Sequence, residues 1–341
     1  MLPIATVLMP GLAGRAAFAP ALEHVKLAAL DQCASRIAET LPALAGFEAQ
    51  LIQLFGGRLP HANAAPMGAL LARYGGGADA QRRYLVASPV HLYADGGRLL
   101  MYGQDGLELD HDQADAYVSE VRTLFEARGM QLSAVTADHW CVSYDAKDEV
   151  DFQALSALIG RDIHDFMPAG AAAACWRALL NETQMQLHQS ATNRQRTALG
   201  LKPVNSLWFW GEGEAPSIAK AVWSRVGYDN SLSEVLASLA GVEHRYRLTQ
   251  DVPLIDPAVG GLQLIVVQSL AEASARDDVQ RWAQLLQGVH DTVVVPLLEA
   301  LMRGQIGAIL LYPGSATAYR ITRRRRWWAK RRGFKDMLGK L

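Results

Sequence analysis

Short apolar runs alternate with segments of helical periodicity along much of the chain. Residues 4–12, IATVLMPGL, form an apolar run closed by Pro-Gly, which is typical of a central strand. Runs of the same kind lie at 262–268 (LQLIVVQ) and 306–312 (IGAILLY), with a helical pattern over 276–302 between them. Apolar strands separated by helices predict a mostly parallel sheet covered on both faces.

Other segments with helical spacing fill most of the remaining sequence. The patterns predict two helices within 16–55, broken near Pro42, and further helices at 62–74, 171–199 and 216–226. A strand is predicted at 204–210, directly before a glycine turn. The chain is therefore expected to belong to the α/β class.

The middle of the chain has a different texture. Residues 84–93 and 98–102 flank Asp95-Gly96-Gly97 and predict a hairpin, followed by a helix at 113–128 and strands at 131–135 and 140–144. This order predicts a separate α+β domain at 84–168, inserted into a discontinuous core domain of residues 1–83 and 169–341.

The stretch from Asn181 to Gly213 is the strongest candidate for a ligand site. Its helix, its break at Gly200 and Pro203 and its apolar strand 204–210 would place the closing glycine turn at the carboxyl end of a strand. Open α/β sheets bind ligands at that end. The candidate ligand-binding residues are Glu182, Gln184, His188, Asn193, Arg196, Asn205, Gly211, Glu212, Gly213 and, from the hairpin, His91.

Two interpretations of this stretch stay open. Guanidinium groups bind phosphate or carboxylate, and glycines let backbone N–H groups approach an anion, so Asn193, Arg196 and the turn suit an anionic ligand. Alternatively, the polar helix residues face solvent and the glycines serve turn geometry. The strand residues Leu207–Trp210 are all apolar, which favours core packing for that strand.

Composition narrows the class of protein. The chain has 341 residues, 50% of them hydrophobic and 20% charged, as in a packed globular protein. Three widely separated cysteines without a CxxC motif argue against a disulfide framework or a zinc site and fit a reducing cytoplasm. No apolar run in the sequence approaches the roughly 18 residues of a membrane span.

Charge is concentrated at the C-terminal end. Residues 320–341 contain ten basic residues and one acidic residue, a balance of +9, which leaves −10 for the other 319 residues because the total is −1. Arginines beside Trp327 and Trp328 suit nucleic-acid backbones and bases. The alternative is a terminal segment that packs its tryptophans into the domain. The candidate polyanion-binding residues are Arg323, Arg324, Arg325, Arg326, Arg331 and Arg332.

Motifs that specify a reaction do not occur in the sequence. It has no GxSxG, P-loop, GxGxxG or HExxH. Asp110-His111-Asp112 has a metal-like composition but is better explained as a polar run before the 113–128 helix. Ser88 and His91 lie in the predicted hairpin, where structural use is favoured over a nucleophilic role.

The run LHQSATNRQRTALGLKPVNSLWFWGEG resembles a segment of archaeal-type, cofactor-independent phosphoglycerate mutases with an Asn-x-x-Arg, a Gly, an Asn, a strand and a Gly-x-Gly. More closely, the PVHL hairpin, the ETQMQLH helix, NSLWFWGEG and the Trp/Arg-rich end are similar to RpfE-type regulatory proteins of proteobacteria. The resemblance implies a three-layer α/β core of the alkaline-phosphatase type with a mostly parallel sheet and an inserted smaller α+β domain.

The same resemblance bears on chemistry. The mutases hold two divalent metals with an Asp after the first strand and Asp/His motifs in the C-terminal half, whereas this chain has Met9-Pro10-Gly11 and Tyr312-Pro313-Gly314 there. Without carboxylate and imidazole ligands a two-metal site cannot assemble. The expectation is therefore a cytoplasmic regulatory or binding protein, a pseudoenzyme without catalytic residues, metal or cofactor. It would hold an anionic small molecule or a regulatory protein partner in a cleft between core and insert.

Two alternatives complete the expectations. One is a nucleic-acid-associated protein that uses the basic C-terminal segment. The other is a phosphoryl-transfer enzyme, a mutase or phosphatase, with a site rebuilt from Ser88, His91, His188 or Glu182.

Overall fold

The chain forms two compact units, each described here by itself. Unit 1 comprises Met1–Ala62 and Ser217–Leu341, and unit 2 comprises Asn63–Pro216. The structure is a computed structural model. It describes residues 2–59, 65–79, 81–103, 106–145, 150, 152–219, 223–246, 260–324 and 333–334. Strands and helices are numbered along the whole chain.

Unit 1 contains a seven-stranded, mostly parallel sheet. Its strands are β1 (Ile4–Leu8), β2 (Ile37–Pro42), β8 (Arg225–Tyr228), β9 (His244–Tyr246), β10 (Leu262–Val266), β11 (Ala308–Tyr312) and β12 (Thr317–Ile321). Their order is β2-β12-β11-β1-β10-β8-β9, and β12 alone runs antiparallel to its neighbours. Strand β1 therefore lies at the centre, as its apolar sequence predicts.

Helices of unit 1 pack on this sheet through apolar side chains. The helices are α1 (Ala28–Ala34), α2 (Phe47–Leu54), α7 (Ser231–Ala240), α8 (Ser269–Ala275), α9 (Val279–Val289) and α10 (Val295–Met302), with a π-helix at His290–Val294. Val7 and Ile309 of the sheet share one buried cluster with Leu30, Trp282 and Leu297 of the helices. This cluster forms the core on one face of the sheet.

The continuous helical run Val279–Met302 is, by length and composition, apolar enough to cross a membrane, and it is the one such run in the described residues. This differs from the expectation that no apolar run of that length exists. Its side chains Trp282, Leu286 and Leu297 are nevertheless buried in the core of unit 1, so in this structure the run is a core helix.

Unit 2 is built on a separate antiparallel sheet. Its strands are β3 (Arg83–Asp95), β4 (Arg98–Tyr102), β5 (Gln131–Ala134), β6 (Trp140–Tyr144) and β7 (Ser206–Trp210), and its helices are α3 (Met67–Tyr74), α4 (His111–Glu126), α5 (Ala173–His188) and α6 (Ala191–Ala198). The 13-residue strand β3 changes partner along its length. Residues 83–87 pair with β6, 86–90 with β7, and 91–95 with β4.

An aromatic cluster fills the core of unit 2. The Trp176 ring lies 5.0 Å from the Phe209 ring and 5.3 Å from the Tyr144 ring, measured between centroids, in edge-on arrangements that aromatic pairs prefer. Trp140 and Tyr117 belong to the same buried cluster. Helices α4 and α5 thereby cover one face of the antiparallel sheet.

Several predicted elements are confirmed and others are wrong. Strands β1, β10 and β11, the hairpin β3–β4, helix α4 and strands β5 and β6 occur where the patterns predict them. The 171–199 helix is divided into α5 and α6. The prediction of two helices broken near Pro42 is wrong for the segment before the break, since Ile37–Pro42 is strand β2, and the 216–226 helix is wrong, since Arg225 begins strand β8.

The strand predicted at 204–210 is real, but its place in the parallel sheet is wrong. Strand β7 pairs antiparallel with β3 in unit 2, with Trp208 opposite Ser88. The boundaries of unit 2, Asn63–Pro216, accordingly differ from the predicted 84–168 insert. A continuous apolar run shows that a strand is buried on both faces but carries no information on its direction or its sheet.

Candidate functional site

Asn193, the first residue of the proposed anion site, is buried in unit 2. Its Oδ1 accepts hydrogen bonds from the Tyr117 hydroxyl at 2.5 Å and the Val204 N–H at 2.8 Å. Its Nδ2 donates to the carbonyls of Leu187 at 2.8 Å and Val204 at 2.7 Å. Burial raises the pKa of Tyr117 to about 12, so this phenol stays a neutral donor. The amide joins the ends of α5, α6 and β7.

The guanidinium group of Arg196 is also hydrogen-bonded within unit 2. Its side chain is 1% exposed. Nε donates to the Lys202 carbonyl at 3.0 Å, Nη1 to Gln113 Oε1 at 2.6 Å, and Nη2 to the Leu107 carbonyl. A ligand would have to displace these acceptors, each of which would be costly to leave unbonded. The geometry therefore gives Arg196 a structural role, and ligand binding by it stays a prediction.

Asn205 and His91 fix the join between β3 and the segment entering β7. Asn205 accepts the Leu92 N–H and donates to the Leu92 carbonyl, both at 2.7 Å. His91 Nδ1 lies 2.9 Å from the Pro203 carbonyl oxygen. Because a carbonyl only accepts, this contact assigns the His91 proton to Nδ1.

The Gly211-Glu212-Gly213 turn packs against the start of α3. Gly211 has φ +75°, and a Cβ there would lie 3.2 Å from Val86 Cγ2, so glycine is required by conformation and space. Its carbonyl accepts the Gly68 N–H at 2.9 Å. Glu212 forms an ion pair with Arg83 at 2.7 Å. This geometry supports the second of the two interpretations, turn geometry, and anion binding by the turn stays a prediction.

The remaining candidates lie on α5. Glu182 bonds to Arg128 at 2.6 Å, and this hydrogen bond is the main cause that raises the pKa of Arg128. Gln184 Nε2 donates to Ser206 Oγ at 3.2 Å, while His188 is exposed. The predicted site residues thus divide into buried groups that hold unit 2 together and more exposed groups on one helix.

Two further sequence candidates are placed by the structure. Ser88, a residue of the rebuilt-site alternative, is fully buried, and its Oγ accepts the Trp210 Nε1–H at 2.9 Å. It is closed to a substrate in this conformation. Asp110 caps α4 by accepting the Gln113 N–H at 2.8 Å, which confirms the capping interpretation of that polar run.

The polyanion candidates lie at the end of unit 1. Arg323 and Arg324 follow β12 and are exposed. Arg325, Arg326, Arg331 and Arg332 lie outside the described residues. Beyond them, Phe334 is buried in the unit 1 core, and its N–H donates to Asp31 Oδ1 at 2.7 Å.

In unit 1 the loops after the parallel strands meet at the carboxyl edge of the sheet, where this class of fold places ligands. The loop after β1 is tightly packed, since a Cβ on Gly11 would lie 2.7 Å from the Ala271 Cα and the Leu270 carbonyl oxygen of α8. A Cβ on Gly314, after β11, would lie 2.9 Å from Pro10 Cβ. Backbone and apolar atoms therefore fill the space directly beyond β1.

Polar groups at this edge also bond to the protein itself. Gln50, fully buried on α2, donates from Nε2 to the Leu44 carbonyl at 2.5 Å and to the Ser315 carbonyl at 2.6 Å. The side chain thus ties the segment before α2 to the loop after β11.

Asp229, which directly follows β8, is the carboxylate that sequence reasoning missed at this edge. It accepts the backbone N–H groups of Gln268 at 2.8 Å and Ser269 at 3.2 Å, at the start of α8. Burial raises the pKa of Asp229 above that of an ordinary aspartate, against the opposing effect of these hydrogen bonds. The sequence pattern did not indicate that Asp229 follows a strand, because the segment that forms the start of β8 was predicted as a helix.

The loops that follow β1 and β11 do not offer ligands for a pair of divalent cations. The loop after β1 offers Met9, Pro10 and Gly11, and the loop after β11 offers Pro313, Gly314 and Ser315. None of these side chains is a carboxylate or an imidazole, the donors that such ions take in phosphoryl-transfer sites. Within the described ranges, no three His, Cys, Asp or Glu side chains are grouped as in a metal centre.

Comparison with known proteins supports a phosphoglycerate-mutase-like fold. No protein-family model matches the chain. A 2,3-bisphosphoglycerate-independent phosphoglycerate mutase from Methanothrix thermoacetophila is 28% identical over 184 residues, 48% of this chain and 46% of the relative. A probable mutase of the same type from Geobacter sulfurreducens is 37% identical over 62 residues, 18% of this chain and 16% of the relative. The match to the first relative spans about half of its length.

A solved structure shares the fold over nearly the whole chain. The PH0037 protein from Pyrococcus horikoshii superposes with a TM-score of 0.52 and 12% identity, covering 98% of this chain and 92% of its own. The predicted fold class is thus confirmed: the chain is a mixed α/β protein with a mostly parallel central sheet, a separate antiparallel sheet and a phosphoglycerate-mutase-like fold.

Proposed function

We propose that this chain is a non-catalytic protein that keeps a phosphoglycerate-mutase-like fold and acts by binding, as a cytoplasmic regulatory protein of the RpfE type. The observation that carries the proposal is the tight packing directly beyond β1, at the carboxyl edge of the central sheet. There Gly11 and Gly314 pack against backbone and apolar atoms, and the carboxylate of Asp229 caps α8. Phosphoryl transfer needs metal ions or fixed cations aimed at the transferred group.

The binding partner in this proposal is an anionic small molecule or a regulatory protein. Among the sequence candidates, His188 on α5 and Gly213 are exposed and Glu182 and Gln184 on α5 are half-buried, whereas Asn193 and Arg196 are buried and bonded. The proposal therefore assigns partner contact to the exposed side of α5 and stability to the two buried residues.

An assay of the purified chain tests the proposal. Phosphoglycerate interconversion would be measured with added Mn²⁺, Mg²⁺ or Zn²⁺, beside the Methanothrix thermoacetophila relative as a positive control. We expect turnover by the relative and none above background by this chain. Metal-dependent turnover by this chain would favour the rebuilt-site enzyme instead, and its loss in the variant Asp229→Asn would locate the chemistry at the sheet edge.

A second candidate function is polyanion binding by the basic C-terminal segment. The exposed side chains of Arg323 and Arg324 favour it, as does the anchoring of Phe334 on the far side of the segment. The segment thus has two exposed arginines at one described end and a buried phenylalanine at the other. A nucleic-acid partner would be recognised there mainly through phosphate charge.

A further inference from the structure

Helix α1 of unit 1 lacks a cap from its own sequence. Its N-cap residue, Leu27, forms no side-chain hydrogen bond to the first turn. The N–H of Ala29 in that turn instead donates to Nε2 of His290, at 3.1 Å. His290 is 5% exposed and begins the π-helix, a form of helix found often at functional sites. The imidazole thus satisfies an amide that the helix cannot satisfy itself.

The contacts of His290 determine its protonation state. A backbone N–H donates to Nε2, so Nε2 must carry a lone pair. The other ring nitrogen, Nδ1, lies 2.7 Å from Asp291 Oδ1 and donates its proton there. Asp291 is further held by Gln287 Nε2, at 2.9 Å from both carboxylate oxygens. The hydrogen bond from His290 is the main cause that lowers the pKa of Asp291.

Protonation of His290 would replace the hydrogen bond between Ala29 N–H and Nε2 with a repulsive contact. A proton on Nε2 would face the Ala29 N–H, leaving two donors opposed in a buried place. The positive end of α1 disfavours the imidazolium, whereas the Asp291 carboxylate favours it. The imidazolium ring would therefore move away from the Ala29 N–H and toward the half-exposed carboxylate of Asp291.

Titratable groups on the elements around the π-helix make contacts of their own. Those on α1, α9 and α10 are Asp31, Cys33, Arg281 and Glu299. Asp31 accepts the Phe334 N–H, and Glu299 pairs with Arg303 at 2.9 Å. Burial raises the pKa of the Cys33 thiol to about 12, so it is neutral. Arg281 is exposed at the start of α9. The carboxylate that is bonded to the imidazole is that of Asp291, in the π-helix itself.

We propose that His290 is a pH-sensitive latch that holds α1, and through Asp31 the Gly333–Phe334 segment, to the π-helix of unit 1. The latch is closed while the imidazole is neutral and opens when it gains a proton. Leu30, Cys33 and Phe334 belong to the same buried cluster as Val293 of the π-helix, so opening would loosen one side of that core. Acidification would thereby change how the C-terminal end is held.

Hydrogen exchange of the full chain, read by mass spectrometry, tests the latch. Protection of a peptide that covers α1 would be compared over a pH series from about 7.5 down to about 5.5, after correction for intrinsic exchange rates. We expect protection to fall about tenfold at the lower pH, the effect of losing one buried hydrogen bond. The variant His290→Gln keeps an acceptor and does not titrate, so its protection should not depend on pH.

Two further variants sharpen the result. His111→Gln, at an exposed position at the start of α4, is the matched control and should behave like the natural chain. Asp291→Asn removes the partner of the imidazolium and should move the loss of protection to lower pH. Equal pH dependence in the natural chain and in His290→Gln would overturn the latch. If His290→Gln fails to fold, nitrogen-15 NMR of the natural chain decides, because a proton on Nε2 at neutral pH contradicts it.

Discussion

At the scale of single residues, Asn193 and Arg196 of unit 2 use their hydrogen-bond donors and acceptors mainly on nearby backbone groups. Asn193 makes four hydrogen bonds, and Arg196 uses all three guanidinium nitrogens. Sequence shows that such residues are polar but not whether a carbonyl or a ligand lies opposite. The contacts of Arg196 come from Gln113 and Leu107, more than 80 positions away, so no local pattern could reveal them.

Replacement of Arg196 should therefore affect stability before binding. The variant Arg196→Met keeps apolar volume but leaves buried carbonyls unbonded, which should lower the free energy of unfolding by about 3 kcal/mol. Arg194→Met, on the exposed side of the same helix, should cost no more than about 0.5 kcal/mol. Urea denaturation measures both. An Arg196 variant of unchanged stability that loses a phosphorylated ligand would restore the ligand-binding role.

At the scale of elements, the pattern of apolar residues predicted the positions of most strands but not which strands pair with each other. It found β1, β10 and β11 because central parallel strands are apolar throughout. It missed β2, whose exposed positions belong to an edge strand. It assigned β7 to the wrong sheet because Leu207–Trp210 are buried on both faces in either arrangement. The glycine turn after β7 therefore does not lie at the carboxyl edge of the parallel sheet, and ligand binding at this turn stays a prediction.

The packing of the β1 loop on α8 gives a prediction at this scale. In Gly11→Ala the new methyl group would meet backbone atoms of Leu270 and Ala271, and φ is +79°. Gly241, at the end of α7, has φ +66° with nothing near its Cβ position, so Gly241→Ala measures the conformational cost alone. That cost is about 1 to 2 kcal/mol. Gly11→Ala should cost about 1 to 3 kcal/mol more, through overpacking.

Thermal unfolding followed by circular dichroism compares the two glycine variants. Equal shifts in Tm would mean that the loop moves away from α8 without cost. That result would weaken the conclusion that the space directly beyond β1 is filled.

At the scale of the whole molecule, charge is unevenly distributed. The last 22 residues carry +9 against −10 for the rest, which was readable from sequence alone. The charge could not show that Phe334 is buried and bonded to Asp31 within that region.

Replacement of arginines by glutamine tests polyanion binding and leaves Phe334 in place. A variant with glutamine at Arg323, Arg324 and Arg325 should bind a single-stranded oligonucleotide more weakly, and its affinity should depend less steeply on salt, by up to about three counterions. A control with glutamine at Arg122, Arg194 and Arg281 has the same net charge and should bind as the natural chain does. Fluorescence anisotropy over a salt series measures both. Identical losses in the two variants would point to nonspecific attraction.

The long strand β3 has one more consequence for the molecule. Its partners β4, β6 and β7 all follow it in sequence. A backbone cut at Gly96, in the tight turn between β3 and β4, would leave β3 on one fragment and its three partners on the other. Hydrogen bonds between β3 and its partner strands would then join two separate polypeptides. We therefore expect the two fragments to reassociate as a noncovalent complex.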